Sequence, residues 1–323
     1  MIQSITSIDA DTINRLLDYP SLIAAIRKAF TDPPITPDRQ AIAIDDGPGQ
    51  PAGTLLVMPC LRPARLIGVK LVTIHPSLGE RKGGAVRSTY LAMEAASGEL
   101  RGVIDGHALT LRRTAATSVL AASLLARPDA GKLLIVGTGQ VARALAEAYS
   151  QIVQPDRICV WGRRVEAAER LAASLAAAGI RAQPVTNLAE AIRAADIITC
   201  ATLSEEPLIH DEHVREGTHI DLVGGFTPNM READDALVAR ARIVVDVERT
   251  ISEAGDIAQP LRSGRIETGD ITLLGEALST GSSPRRGPEE VTLFKSSGHA
   301  LEDMAAAELL FARLASASPE NER

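Results

Sequence analysis

Six consecutive residues near the middle of the chain, Gly137-Thr138-Gly139-Gln140-Val141-Ala142, place glycines and a small residue at G-x-G-x-x-A spacing. They follow the apolar run Lys132-Leu133-Leu134-Ile135-Val136 and open an Ala-rich segment. That context gives the pattern its meaning. The first glycine permits a tight turn, the second lets the backbone approach a pyrophosphate, and Ala142 lets a helix pack close to a sheet. The helix N-terminus then offers free N–H groups to phosphate oxygens. Gly137, Gly139, Gln140 and Val141 are therefore the expected cradle of a dinucleotide. An NAD site carries an acid roughly 20 residues further on, bonded to the ribose 2′-hydroxyl. Here that position reads Trp161-Gly162-Arg163-Arg164, and the first carboxylate is Glu166. Guanidinium groups match phosphate with forked donors, so Arg163 and Arg164 favour NADP(H), with NAD(H) the alternative.

Other charged residues stand where charge is unusual. Lys70, in Leu66-Ile67-Gly68-Val69-Lys70-Leu71-Val72, shares a strand face with Gly68 and Val72. A lysine on an apolar face has its pKa lowered by burial, which suits proton donation or a carboxylate contact. Arg113 shares a helical stripe with Ala116, Leu120 and Leu124, and Arg39 opens a strand after Pro37-Asp38. Arginine grips carboxylates through two parallel hydrogen bonds. If Lys70 and Arg113 face a pocket, replacing either removes turnover and spares the fold. Solvated surface charge is the competing reading for each. His210-Asp211-Glu212-His213 has i, i+3 histidines but no nearby third ligand, so no metal is expected.

Composition narrows the class. At 323 residues the chain is long enough for two domains, and 45% apolar with 23% charged residues is an ordinary globular balance. A net charge of −7 argues against a nucleic-acid surface. Residues 1–5 show no basic region leading into an apolar stretch, and residues 114–126 are too short to span a bilayer. Cys60, Cys159 and Cys200 are single and unpatterned, which is the usage of reduced thiols in a cytoplasmic protein.

The positioning elements read as two kinds. From Gly131 onward, strands at 132–136, 157–161, 181–185, 196–200, 219–223 and 242–247 alternate with helices at 140–151, 166–178 and 188–194, the pattern of a doubly covered parallel sheet. Before that, a helix at 21–30 stops at Asp32-Pro33-Pro34. Strand-like runs follow at 39–44, 54–58, 66–74 and 88–93, separated by Gly/Pro turns, as in an α+β domain on a mostly antiparallel or mixed sheet. A last helix, 300–314, is free to return to the first domain.

Four motifs taken together, Gly68-Val69-Lys70, Leu109-Thr110-x-x-Arg113-Thr114-Ala115-Ala116, Gly137-x-Gly139-Gln140 and Phe294-Lys295-Ser296-x-Gly298-x-Ala300-x-Glu302-Asp303, resemble the ornithine cyclodeaminase/mu-crystallin family, in the family's order and across nearly the whole chain. The resemblance implies an α/β chain with a Rossmann domain (127–295) inserted into an α+β substrate and dimerisation domain (1–126 plus 296–323), assembled as a homodimer. It implies that Arg39, Lys70 and Arg113 hold a substrate carboxylate beside the nicotinamide, with Lys70 the catalytic residue. It extends the cofactor contacts to Arg113, Thr114, Thr202, Val223 and Gly225. The family's chemistries include ornithine cyclodeamination, alanine dehydrogenation, cyclic ketimine reduction and, in mu-crystallin, small-ligand binding.

One departure sorts among them. Cyclodeaminases carry an aspartate after the fifth Rossmann strand, where this chain reads Val223-Gly224-Gly225-Phe226-Thr227-Pro228-Asn229-Met230-Arg231-Glu232. Phe226 stands at the acid's place, and the segment resembles the Δ1-pyrroline-2-carboxylate reductase branch. Cyclodeamination calls for a carboxylate to move protons on the α-amine. Phe226 cannot supply one; Glu232 or a lysine-bound water would have to perform those transfers instead. Reduction of a preformed ring imine needs a hydride, a carboxylate anchor and one proton. The expected activity is therefore NAD(P)H-dependent reduction of Δ1-pyrroline-2-carboxylate to L-proline, with the six-membered homologue as a further substrate and Phe226 packed on the ring.

Overall fold

The computed structural model describes residues 5–44, 53–75 and 86–317. Contacts divide the chain into two compact units, Met1–Arg113 with Ala300–Arg323, and Thr114–His299. The boundaries expected from the sequence are 126/127 and 295/296. The contacts instead divide the long helix Gly106–Leu125 at Arg113 and carry the second unit through His299.

Among the described residues the first unit holds a six-stranded sheet and four helical segments. Its elements are β1 (Thr6–Ile8), α1 (Ala10–Leu16), α2 (Tyr19–Thr31), β2 (Gln40–Ile44), β3 (Gly53–Arg62), β4 (Leu66–Ile74), β5 (Val86–Glu94), β6 (Leu100–Asp105) and the first part of α3 (Gly106–Leu125). The final helix Ala300–Ala317 completes it. Sheet order is β1-β6-β5-β4-β3-β2, antiparallel except where β1 joins β6. α2 starts where Asp18 accepts from the Ser21 amide at 2.9 Å, an N-cap ahead of Pro20. Its buried residues Tyr19, Leu22, Ile26, Ala29 and Phe30 recur at helical spacing and meet the final helix.

The two faces of this sheet differ. On one, Met58, Cys60, Gly68, Lys70, Val72, Tyr90 and Ala92 are buried, and the final helix packs against β3 and β4. On the other, alternation leaves Leu55, Val57, Pro59, Leu61, Ile67, Val69, Leu71, Leu91 and Met93 half-exposed. That is a continuous apolar surface.

The second unit is built on an eight-stranded, wholly parallel sheet. Its strands are β7 (Lys132–Val136), β8 (Arg157–Trp161), β9 (Ala182–Pro184), β10 (Ile197–Cys200), β11 (His219–Leu222), β12 (Arg242–Val245), β13 (Ile271–Leu273) and β14 (Thr292–Lys295). The helices are α4 (Gln140–Ile152), α5 (Val165–Ala177), α6 (Leu188–Ala194), α7 (Asp235–Arg240), α8 (Arg249–Glu253), α9 (Gly255–Arg262) and α10 (Leu274–Ser279), which makes the final helix Ala300–Ala317 α11. Strand order β13-β12-β14-β11-β10-β7-β8-β9 reverses direction between β7 and β10. In open parallel sheets ligands bind at such a switch point, outside the carboxyl ends of the strands.

Strand–helix alternation anticipates the strands β7 to β12 and the helices α4 to α6, but not α7. β14, inserted between β11 and β12, is not anticipated: its four residues are fully buried and end on a lysine. α9 likewise carries Pro260 inside it. All three cysteines are free thiols, Cys60 and Cys200 buried and Cys159 half-buried. No helix among the described residues is long and apolar enough to cross a membrane.

Candidate functional site

In the second unit the glycine turn leaves β7 and enters α4 at the switch point. Gly137 has φ +130°, and a Cβ there would stand 2.5 Å from the Ala201 carbonyl oxygen of the turn after β10. Only glycine fits. Gly139 is the N-cap of α4 with no side-chain cap, and a Cβ added to it would meet nothing within 4 Å. A backbone that comes this near to open space at the start of a helix can approach a pyrophosphate. Ala142 is fully buried in α4, which lies against β7 and β10. Gly162 follows β8 so closely that a Cβ would stand 2.5 Å from Thr138 Cγ2. Beyond it Arg163 and Arg164 are exposed, and their guanidinium groups meet no hydrogen-bond or ion-pair partner among the described residues.

Around this turn stand the ends of β10 and β11. The Thr202 amide and hydroxyl donate to Glu232 Oε1 at 2.7 and 2.9 Å, and the Gly224 amide donates to Glu232 Oε2 at 2.8 Å. The Val223 amide donates to the Cys200 carbonyl at 2.8 Å. Gly225 approaches so near that a Cβ would stand 2.7 Å from Asp256 Oδ2. Phe226 follows, half-buried. Thr114 is buried in the part of α3 that belongs to this unit.

In the first unit, Lys70 and Arg113 come together with two acids that no spacing argument paired with them. Lys70 Nζ lies 2.5 Å from Asp303 Oδ2. Arg113 Nε donates to Asp303 Oδ1 at 3.1 Å and its Nη1 to Glu302 Oε2 at 2.5 Å. Both acids are fully buried, Lys70 is 2% and Arg113 5% exposed. Glu302 and Asp303 occupy the first turn of α11, where the helix dipole favours negative charge. Burial pulls the Lys70 pKa down from 10.5 to about 8; Asp303 opposes that shift and Arg113 adds to it. Gly68 is explained by the same cluster: a Cβ there would overlap the Tyr90 hydroxyl, which reaches Met304 of α11. Tyr90 is the cross-strand neighbour of Lys70.

Arg39 stands half-buried just ahead of β2. Continuing the Gln40–Val57 register puts it level with Met58, which pairs with Lys70. It is thus two strand spacings, about 10 Å, from the lysine backbone.

The expectation that Lys70 and Arg113 are removable without harm to the fold is corrected here. Each neutralises a buried carboxylate, and an uncompensated buried charge is strongly destabilising. Glu302 and Asp303 are the residues sequence reasoning quoted but gave no role. Their signal was present: two adjacent acids open a helix whose only further charges are Glu308 and Arg313, and two lone cations lie on apolar faces elsewhere. The histidine pair forms no centre: His210 Nδ1 lies 3.2 Å from Asp234 and His213 Nε2 3.4 Å from Glu212. Among the described residues no group of three or more His, Cys, Asp or Glu could hold a metal ion.

The model of the ornithine cyclodeaminase/mu-crystallin family matches residues 16–318. A Delta(1)-pyrroline-2-carboxylate reductase of Paracoccus denitrificans is 36% identical, over 89% of this chain and 90% of its own. The Thermococcus litoralis Delta(1)-pyrroline-2-carboxylate reductase, solved with NADH and L-proline, superposes with a TM-score of 0.89 at 28% identity, covering 97% of this chain and 98% of that one. An archaeal alanine dehydrogenase dimer with bound NAD superposes at 0.87 with 25% identity, covering 97% and 96%.

Proposed function

The chain belongs to the ornithine cyclodeaminase/mu-crystallin family, and from that premise we propose that it reduces Δ1-pyrroline-2-carboxylate to L-proline with a reduced nicotinamide dinucleotide, and Δ1-piperideine-2-carboxylate by the same chemistry. One observation carries the choice among the family's reactions. The segment after β11 presents Phe226, and the two buried acids beside it, Glu232 and Asp256, are both committed. Glu232 is fully buried with its oxygens filled by Thr202 and Gly224, and fully buried Asp256 accepts the Glu232 and Ala233 amides at 2.7 and 2.9 Å. Neither is placed as the exposed acid/base that cyclodeamination needs.

The cofactor, when bound, supplies the hydride that enters the imine carbon. The protein's part is anchoring and charge. Arg113 and Lys70, with Arg39, would supply the positive charge that holds the substrate carboxylate. A lysine with its pKa near 8 also serves as the donor of the one proton that the ring nitrogen gains. Phe226 offers an apolar face to the ring.

Arg163 and Arg164, exposed and unpartnered among the described residues, support a preference for NADPH over NADH. The half-exposed apolar face of the first unit's sheet supports a homodimer in which a second copy covers it, since monomers rarely expose continuous apolar patches of this kind. Ile42 of the outermost strand β2, 47% exposed, would extend that interface. Light scattering should return twice the chain mass.

The discriminating experiment is a cofactor-oxidation panel with pyrroline carboxylate, piperideine carboxylate and pyruvate plus ammonia, and ornithine in the reverse sense. The cyclic imines should be consumed fastest. Faster turnover of pyruvate with ammonia would make the chain an alanine dehydrogenase.

A further inference from the structure

The Phe294-Lys295-Ser296 motif is not used by the chemistry described above, yet Lys295 is fully buried. Its Nζ lies 3.1 Å from Asp256 Oδ2, at the start of α9. Asp256 Oδ1 holds the backbone amides of Glu232 and Ala233 at 2.7 and 2.9 Å. The Glu232 side chain then holds the Thr202 amide and hydroxyl after β10 and the Gly224 amide after β11. These contacts form a continuous path from the end of β14 to the carboxyl ends of two neighbouring strands. Gly224 is required for it, since a Cβ there would stand 2.2 Å from Glu232 Oε1 and 2.1 Å from the Thr202 carbonyl oxygen.

We propose that Glu232, backed by the Asp256–Lys295 ion pair, is the positioning residue that sets the segments after β10 and β11 for the nicotinamide half of the cofactor. The inference rests on the dinucleotide reading of the glycine turn. Glu232 touches no reacting atom in this role. It fixes backbone at Thr202 and Gly224, beside the turn at Gly137 that approaches the Ala201 carbonyl. Three donors converge on its two oxygens, so the clamp needs the ionised carboxylate. Burial raises its pKa to about 7, with Lys295 lowering it and Asp256 raising it; Cys200 of β10 also faces it. The clamp therefore weakens as pH falls through about 7.

The test is Glu232→Gln in the full chain, with NADH as the probe because it lacks a 2′-phosphate that titrates in the same range. An amide retains the shape but presents N–H where one donor now points. NADH binding, followed by fluorescence, should weaken by about tenfold or more, the effect of one lost charge-assisted hydrogen bond. Hydrogen exchange at the Thr202 and Gly224 amides should accelerate. The unaltered chain should lose NADH affinity between pH 8 and 6, and this dependence should be absent from the variant. That measurement on the unaltered chain decides the matter if the variant fails to fold: affinity constant across the range would overturn the inference. So would unchanged NADH affinity in Glu232→Gln with unchanged amide exchange. If the unaltered chain binds no dinucleotide at any pH, the cofactor reading falls and this inference with it.

Discussion

Replacing Lys70 with methionine separates what the lysine does for folding from what it does for turnover. Four buried charges, Lys70, Arg113, Glu302 and Asp303, balance two against two. Methionine fills the volume but leaves Asp303 with Arg113 alone, and Arg113 already serves Glu302. Breaking a buried pair by removing one partner costs about 3–5 kcal/mol. A stability of about 5–15 kcal/mol tolerates that loss at 25 °C. At about 2–4 °C per kcal/mol, the melting temperature should fall by about 6–20 °C. The companion variant Lys70→Met/Asp303→Asn removes the orphaned charge while the asparagine oxygen can still accept from Arg113 Nε. It should recover most of the lost stability and none of the lost turnover. The assays are a thermal melt and imine-dependent NADPH oxidation below the melting range. A single variant that melts with the parent would refute the buried ion-pair argument. A double variant that regains turnover would refute the role given to Lys70.

The pH profile should carry the same lysine: with its pKa lowered from 10.5 to about 8, the ammonium that anchors and protonates is lost above about pH 8, and kcat/KM should decline there. Arg163→Ala/Arg164→Ala should raise KM for NADPH by about tenfold or more and leave NADH unaffected, since exposed charge-assisted phosphate contacts are screened but additive over two forks. Phe226→Asp should slow imine reduction by exchanging an apolar ring contact for a carboxylate that must be desolvated; steady-state rates with both ring sizes check it.

Legibility in the sequence followed physical signal strength. β7, its glycine turn and α4 announce themselves because a buried parallel strand is uniformly apolar and the turn tolerates only glycine. β4 is legible to its full length as a strand-like run between Gly/Pro turns. β14 escaped notice because four residues show no periodicity and their lysine reads as surface until Asp256 is seen beside it. α9 was hidden by Pro260. At the site, single cations on apolar faces were recognisable one by one. Their partners were not, because Glu302 and Asp303 lie some 190 positions from Arg113 in the chain, and nothing local links charges so distant. The commitment of Glu232 to two backbone segments is likewise a tertiary fact. It turns the alternative acid into a structural one.

The account's central claim is that this chain reduces a preformed cyclic imino acid. The most direct test mixes purified protein, NADPH and Δ1-pyrroline-2-carboxylate, and follows cofactor oxidation with proline measured by chiral chromatography. One L-proline should form per NADPH oxidised, and a parallel reaction with L-ornithine and NAD should release no ammonia. Robust ammonia release from ornithine, with Phe226 in place and no L-proline from the imine, would contradict it.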